Sequence, residues 1–226
     1  MSEAGDVTYA YYPVYRSTAE LRDRGAGDVE SMAHEAEILL KEWSDRVTLR
    51  GTYSVTGFRP DADLMMWWVA RSADDVQDLS IAFRRTALGR RLEQTWAFMG
   101  IVRPAEFSPD HRPAFVKGDP PKRFACVYPY VRTSEWYLLP ADERSALLRE
   151  HGEFGREFSD VLANTTSAFG LNDWEWILAF ESDDLARIVD CLRRLREAEA
   201  RRYTKEEVPF VTGIRKGFVE AIADIV

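Results

Sequence analysis

An internal repeat constrains the fold of this chain more than any other feature. Residues 67–85, WWVARSADDVQDLSIAFRR, align without a gap to residues 176–194, WILAFESDDLARIVDCLRR, at an offset of 109 positions. Each segment reads as an apolar strand, a turn with two aspartates and a helix that ends in two arginines. A looser repeat pairs YYPVYR (11–16) with VYPYVR (127–132). Two repeats in the same order indicate a duplicated unit.

Each unit is predicted to contain strand, helix, strand, strand, helix and strand, the split βαβ order of ferredoxin-like folds. In the first unit we predict strands at 7–16, 48–58, 64–71 and 95–106 and helices at 28–46 and 74–92. In the second we predict strands at 123–138, 173–181 and 208–214 and helices at 141–163 and 183–202, with a short connection in place of the second strand. We expect an α+β fold: duplicated ferredoxin-like units that form a dimeric α+β barrel, with antiparallel sheets and helices outside.

A proline-rich linker separates the two units. Residues 107–123, FSPDHRPAFVKGDPPKR, hold four prolines and a glycine, which disfavour regular structure. We therefore divide the chain into an N-terminal unit (1–107), a linker (108–122) and a C-terminal unit (123–226).

Charge and hydropathy exclude several classes of function. The 226 residues carry a formal net charge of -8, so general binding to nucleic acid or to an anionic membrane is disfavoured. No stretch approaches the roughly 18 apolar residues of a membrane helix, and no secretory leader is visible. We expect a cytoplasmic protein without a membrane span. Cys126 and Cys191 lie in apolar stretches and are predicted to be buried free thiols.

His151 stands out among the three histidines because it lies within an apolar helical stripe. That stripe comprises Leu147, Leu148, His151, Phe154, Phe158 and Leu162. Gly152 and Gly155 follow the imidazole, although each costs a helix interior about 1 kcal/mol relative to alanine. Two interpretations stay open: a hydrogen-bonded core histidine with glycines that ease helix packing, or a flat ligand against the helix. A lone histidine does not suit a zinc site, but it suits haem iron, which needs one axial protein ligand.

The stretch ACVYPYVRTSEWY (125–137) raises a related question. Read as one strand, it places a mixed set of side chains on one face: Tyr128, Tyr130, Arg132, Ser134 and Trp136. A face that is both aromatic and cationic is neither an ordinary core surface nor an ordinary solvent surface.

Three motifs carry a resemblance to a known family. YPYVRTSEWYLLP (128–140), REHGEFGRE (149–157) and FGLNDWEWILAFE (169–181) occur in this order. The chain resembles the chlorite dismutase-like superfamily and, more narrowly, the coproheme decarboxylases of the actinobacterial type. The resemblance implies a homopentamer that uses hydrogen peroxide to convert two propionates of Fe-coproporphyrin III (coproheme) to vinyl groups, which yields haem b. A transient contact with coproporphyrin ferrochelatase is left open.

The resemblance also implies roles for individual residues. It implies that the C-terminal unit binds haem through His151 as proximal iron ligand, that Tyr128 is the radical-forming tyrosine, and that His111 in the linker is a distal base for peroxide. The implied substrate-binding residues are Arg132, Arg201 and Trp176. Arg202 would serve in place of Arg201 after a shift of one residue.

Departures from the family pattern narrow the chemistry. True chlorite dismutases carry a distal arginine at the position of Ala163, so chlorite chemistry is disfavoured. Ser134 replaces a tyrosine that is common in close relatives. Alternatives are a haem-binding peroxidase, for which Asp110 beside His111 is a candidate, a non-enzymatic haem binder, and a barrel protein without a cofactor.

Overall fold

The computed structural model describes residues 7–103 and 112–226. The strands of this part of the chain are β1 (Thr8–Ser17), β2 (Val47–Arg59), β3 (Ala62–Ala70), β4 (Leu92–Val102), β5 (Phe124–Arg132), β6 (Leu162–Ser167), β7 (Trp176–Ser182), β8 (Thr204–Glu206) and β9 (Val211–Lys216). Its α-helices are α1 (Ala19–Arg22), α2 (Ala26–Glu42), α3 (Ala73–Arg85), α4 (Ala114–Lys117), α5 (Ser134–Leu138), α6 (Ala141–Arg156), α7 (Leu185–Leu195) and α8 (Phe218–Ala223).

Eight of these strands close into an antiparallel barrel. The order is β7-β6-β4-β1-β3-β2-β9-β5, and β5 pairs with β7 to complete the ring, while β8 pairs with the end of β5. Around the barrel, the four strands of the first unit lie in the order β4-β1-β3-β2. The four strands of the second unit lie in the equivalent order, β9-β5-β7-β6. The duplicated ferredoxin-like architecture predicted from the sequence is therefore confirmed, with the units joined at β4–β6 and β2–β9.

The barrel interior is packed with apolar and aromatic side chains, and the helices lie outside it. Interior side chains include Tyr12, Tyr53, Met65, Trp67, Phe98 and Ile177. Helices α2, α3 and α8 cover the outer face of the first unit, and α7 covers that of the second, while α6 packs against α7 and the 3₁₀ turn at Glu199–Tyr203. Cys126 and Cys191 are buried free thiols, as predicted. No helix in the described part of the chain is long and apolar enough to cross a membrane.

Strand β6 is absent from the sequence prediction, which extended the preceding helix to residue 163. The helix ends at Arg156, and LANTTS (162–167) forms the missing strand. The sequence hides this strand because its inward side chains, Asn164 and Thr166, are polar although they are buried. Without an apolar alternation, the period-two signal that marks a half-buried strand does not arise.

A buried polar cluster explains why the barrel tolerates these residues. Inside it, Arg50 Nη2 and Asn164 Nδ2 donate to Glu181 Oε1 over 2.8 and 3.1 Å. The Asn164 Oδ1 atom accepts the Phe115 backbone N–H (2.9 Å), and Arg50 Nη1 donates to the Asp119 carbonyl (2.9 Å). Side chains from β2, β6 and β7 thereby tie the linker segment after residue 112 to the barrel.

The predicted strand at 123–138 is also too long. Strand β5 ends at Arg132, and Thr133 is the N-cap of the short helix α5. Ser134 is the exposed first residue of that helix, and Trp136 is buried within it. These two side chains therefore do not continue the face that carries Tyr128.

The structural repeat differs in register from the sequence repeat. The N-caps of α3 and α7 are Ser72 and Asp184, which are 184 − 72 = 112 positions apart rather than 109. A shift of three is close to one helical turn and leaves the helical pattern nearly unchanged. Three is an odd number of residues, however, so the same shift exchanges the two faces of a strand. Trp67 consequently points into the barrel, whereas Trp176 lies on its outer side, because its neighbour Ile177 is in the interior.

Candidate functional site

The outer face of β5 is the foundation of the candidate site. Along this strand, Tyr128 and Tyr130 point toward the layer under α7, and Val127, which precedes Tyr128, points into the barrel. Arg132 follows on the same side as the tyrosines, in line with strand alternation. The aromatic and cationic face expected from the sequence thus exists as far as Arg132.

Tyr128 lies deep in this layer, with 4% of its surface exposed. Its ring stacks on Phe210, with centroids 4.4 Å apart, and lies parallel to Phe180 at 6.1 Å. Its hydroxyl makes no hydrogen bond to another described residue. Burial raises the pKa of Tyr128 well above its ordinary value, so the phenol keeps its proton at neutral pH. A neutral, buried phenol can give up a hydrogen atom, provided that an oxidant is close.

Arg132 presents a half-buried cation. Its Nη1 donates to the Ala200 carbonyl over 2.9 Å, and its guanidinium lies 4.1 Å from the Trp136 ring centroid and 4.8 Å from that of Tyr130. Among the described residues, no carboxylate forms an ion pair with it. Burial lowers the pKa of Arg132, but a guanidinium stays protonated at physiological pH. Its charge is therefore available to an anionic ligand.

Arg201 and Arg202 differ sharply in their surroundings. Arg201 Nη1 contacts Glu207 Oε2 at 2.6 Å, whereas Arg202 pairs with Glu199 and its side chain is 73% exposed. Burial raises the pKa of Tyr130, and the charge of Arg201 opposes that shift. Arg201 is thus the member of the pair on the side of the candidate site.

Helix α6 carries His151 and buries none of its residues. The imidazole is half-buried, and burial, followed by the charge of Arg132, lowers its pKa, while Glu150 acts in the opposite direction. Neutral imidazole is the form that ligates a metal ion. Glu150 Oε2 accepts the Glu199 backbone N–H over 2.8 Å, which ties α6 to the 3₁₀ turn that carries Arg201.

The two glycines that follow His151 are not required by packing within the described chain. A Cβ atom at Gly152 would meet nothing within 4 Å, and one at Gly155 would lie 3.9 Å from Leu195 Cδ2, an ordinary contact. At Gly100, by contrast, the nearest side-chain atom, on Thr166, would overlap a Cβ. Within the described residues, neither glycine is therefore needed for close helix packing.

Trp176 is the first residue of β7, opposite Tyr130 on β5. Its ring meets Phe169 edge-on at 5.4 Å. The preceding Glu175 accepts the Arg132 backbone N–H (2.8 Å) and the Tyr137 hydroxyl (2.6 Å), which fixes the turn before β7 against the end of β5. Sequence reasoning missed Glu175 and Tyr137, since nothing in their spacing predicts that they meet.

Two further positions complete the comparison with the sequence predictions. His111 lies outside the described residues. Ala163 is exposed on β6 and pairs with Phe180 on β7, so this position offers no charge. No group of three or more histidine, cysteine, aspartate or glutamate side chains within residues 7–103 and 112–226 could hold a metal ion by itself.

The structure therefore brings five of the predicted residues to one region between α6 and the outer faces of β5 and β7: Tyr128, Arg132, His151, Trp176 and Arg201. Fold and site define a dimeric α+β barrel with one aromatic, cationic face beneath a loosely packed helix. The chain belongs to the chlorite dismutase family, whose family model, described as Chlorite dismutase, matches residues 29–216.

Curated relatives carry a more specific name. Coproheme decarboxylase of Mycolicibacterium smegmatis is 48% identical over 200 residues, which cover 88% of this chain and 87% of that protein. Coproheme decarboxylase of Thermus thermophilus is 28% identical over 200 residues, with 81% of this chain and 80% of that protein covered. The resemblance predicted from the three motifs is confirmed.

A solved structure supports the fold. Chlorite dismutase from Candidatus Nitrospira defluvii in complex with imidazole superimposes with a TM-score of 0.85 at 22% identity, covering 99% of this chain and 96% of that chain. At this identity the likeness concerns the fold alone.

Proposed function

We infer that this chain is an enzyme of haem biosynthesis that decarboxylates coproheme to haem b with hydrogen peroxide. The observation that carries this inference is the 48% identity to a coproheme decarboxylase over 88% of the chain. Charge and burial in the candidate site support it independently.

The residues present fit a flat, anionic and largely apolar ligand. Helix α6 leaves its apolar stripe unburied, and glycine at 152 and 155 leaves room beside His151. Across from it, the guanidinium of Arg132, which pairs with no carboxylate of the described residues, offers a charge-assisted partner to a propionate. Arg201 and Trp176 are the proposed further contacts to the substrate. An acidic protein can bind a tetracarboxylate here because the positive charge is local.

His151 is the proposed axial ligand of the substrate iron. Its lowered pKa keeps the imidazole neutral near pH 7, and its place in the middle of α6 fixes its direction. Bound coproheme supplies the iron at which hydrogen peroxide is reduced, and hence the oxidising equivalents. His111 is the proposed distal base for peroxide.

Tyr128 is the proposed hydrogen-atom acceptor. Once oxidised to a neutral radical, the phenoxyl removes a hydrogen atom from the propionate β-carbon and regains its O–H bond. Loss of carbon dioxide and one further electron leaves a vinyl group. For each propionate, one carboxylate, one hydrogen peroxide and one proton give one vinyl group, one carbon dioxide and two waters. Stacking against Phe210 and Phe180 holds the phenol in place and excludes water from it.

A homopentamer, a cytoplasmic location and a transient contact with coproporphyrin ferrochelatase remain parts of this proposal that rest on the family resemblance. A non-enzymatic haem binder and a haem-binding peroxidase are the alternative outcomes of the test below.

The test is titration of the purified protein with coproheme, followed by hydrogen peroxide and mass spectrometry of the porphyrin. We expect sequential loss of two carboxyl groups, with one peroxide consumed for each. Binding without loss of mass would indicate a haem carrier. Oxidation of an added dye with an unchanged porphyrin would indicate a peroxidase.

A further inference from the structure

Glu207 forms an ion pair with Arg201, the arginine that is proposed to bind substrate. Its Oε2 atom pairs with Arg201 Nη1 at 2.6 Å, and its Oε1 atom accepts from Arg196 Nε and Nη2 at 3.1 and 2.5 Å. The Glu207 side chain is 15% exposed, against 39% for Arg201 and 45% for Arg196. Both carboxylate oxygens are thus engaged in an ion triplet with a net charge of +1.

This triplet borders the reactive face of β5. Three residues after Glu207, the Phe210 ring stacks on Tyr128. On the other side, the Tyr130 hydroxyl lies 2.7 Å from Oγ1 of Thr204, at the start of β8. A carboxylate of the protein therefore lies beside the phenols, where a carboxylate of the substrate is expected.

We propose that Glu207 is a built-in competitor of the substrate carboxylate, which makes the site select coproheme over haem b. This inference rests on the proposed function. A propionate that approaches Arg201 takes over a guanidinium that Glu207 otherwise holds. When that propionate becomes a vinyl group its charge is lost, and Glu207 regains the guanidinium.

The competition follows from charge. Arg201 alone would attract any carboxylate strongly, including the two that haem b retains. With Glu207 in place, the Arg201 guanidinium already has a carboxylate partner within the protein. A ligand therefore binds more tightly when it carries enough carboxylates to displace Glu207. The partial exposure of all three side chains allows this exchange, because water can solvate whichever carboxylate is released. Arg196 offsets the charge of Glu207 and so weakens the competition.

Substitutions of Glu207 and of Arg196 are expected to change coproheme affinity in opposite directions. Glu207→Gln removes the competing charge and should tighten coproheme binding by roughly three- to tenfold, with a larger gain for haem b, so that the preference for coproheme falls. Arg196→Gln leaves Glu207 to Arg201 alone and should weaken coproheme binding by a few-fold. A role limited to holding the fold together would weaken binding in both variants.

The experiment is titration of wild type and both variants with coproheme and with haem b, followed by absorbance, without peroxide. Glu199→Gln is the matched control, because it breaks the exposed ion pair with Arg202 on the same turn, and it should change neither affinity. Equal or weaker coproheme binding by Glu207→Gln would overturn the proposal, as would a gain for haem b that does not exceed the gain for coproheme. Circular dichroism verifies that each variant is folded.

Failure of the proposed function is visible separately. If wild type binds coproheme but does not decarboxylate it with peroxide, the enzymatic role fails, while the affinity ratios still decide the role of Glu207.

Discussion

The two units share one topology, but their helix–sheet layers differ in how completely they are filled. Under α2, α3 and α8, the first unit buries a large apolar cluster that includes Tyr15, Leu64, Trp68, Leu79 and Phe83. In the second unit, the corresponding cluster is much smaller, and α6 contributes no buried residue. The two copies of the duplicated fold thus differ in how much apolar surface their helices bury.

The difference begins with side-chain size at matched positions. At the structural offset of 112, Trp68 corresponds to Phe180. Trp68 lies in the helix–sheet layer of the first unit, called the filled layer below, and Phe180 lies in that of the second unit, called the second layer. Trp68 packs on Tyr11 and Phe83, whereas Phe180 faces the ring of Tyr128. The second layer thus has a smaller ring at this matched position, and its helix α6 carries two glycines that contact little of the described chain.

The largest effect is expected from Tyr128→Phe. Loss of the hydroxyl removes the proposed redox-active group but keeps the ring stack, so coproheme should bind while its conversion to haem b is abolished. Mass spectrometry after addition of peroxide measures this. Tyr12→Phe is the control, because Tyr12 also precedes a proline in its strand but faces the barrel interior. Undiminished haem b formation by Tyr128→Phe would contradict the radical role.

His151→Ala should remove the proposed axial ligand from the second layer. We expect the absorption spectrum of bound coproheme to change and its affinity to fall. His34→Ala is the control, since that side chain is 56% exposed on α2 in the first unit. If the coproheme spectrum of His151→Ala equals that of wild type, another residue is the ligand.

Truncation of one leucine in each layer tests the comparison directly. Leu79→Ala in the filled layer should cost about 2–5 kcal/mol of unfolding free energy, since Leu79 is fully buried. Leu147→Ala, on half-exposed α6, should cost about 1 kcal/mol or less. Urea unfolding of the ligand-free protein measures both. Equal losses would mean that the second layer is as tightly packed as the first.

Gly155→Ala should separate stability from binding. Alanine favours the helix, so the ligand-free protein should gain about 0.5–1 kcal/mol, while coproheme affinity falls because the new Cβ lies one turn from His151. Gly152→Ala should give a similar gain with a smaller loss of affinity, because it lies on a different side of the helix. Unchanged coproheme affinity in Gly155→Ala would place the ligand elsewhere.

The smallest effect concerns pH. Because burial and Arg132 lower the pKa of His151 from 6.5, the unfolded chain binds more protons than the folded one just below that pH. Stability should therefore be full above about pH 6.5, fall as pH drops below it, and level off below the folded-state pKa. Relative to His151→Gln, wild type should lose less than about 1 kcal/mol in this range. A pH-independent difference in unfolding free energy would contradict the shift.

Several features of the site could be predicted from local patterns. His151 interrupts an apolar stripe, and Tyr128 and Arg132 alternate along a strand, so period and spacing place each on its face. Glu207 could not be found this way. Its partners Arg196 and Arg201 belong to a helix end and a 3₁₀ turn, and only the path of the chain brings three charges together.

By itself, the sequence determined the duplicated α+β architecture, the outward face of β5 and the helix of His151, because each rests on a hydrophobic period that the chain carries locally. Only the tertiary structure decided the register of the repeat, the presence of β6 and the pairing of Arg201. The physical reason is that polar and charged groups are stabilised by partners distant in sequence. Asn164 is buried because Glu181 and the Phe115 backbone satisfy it, and no local pattern records such a partner.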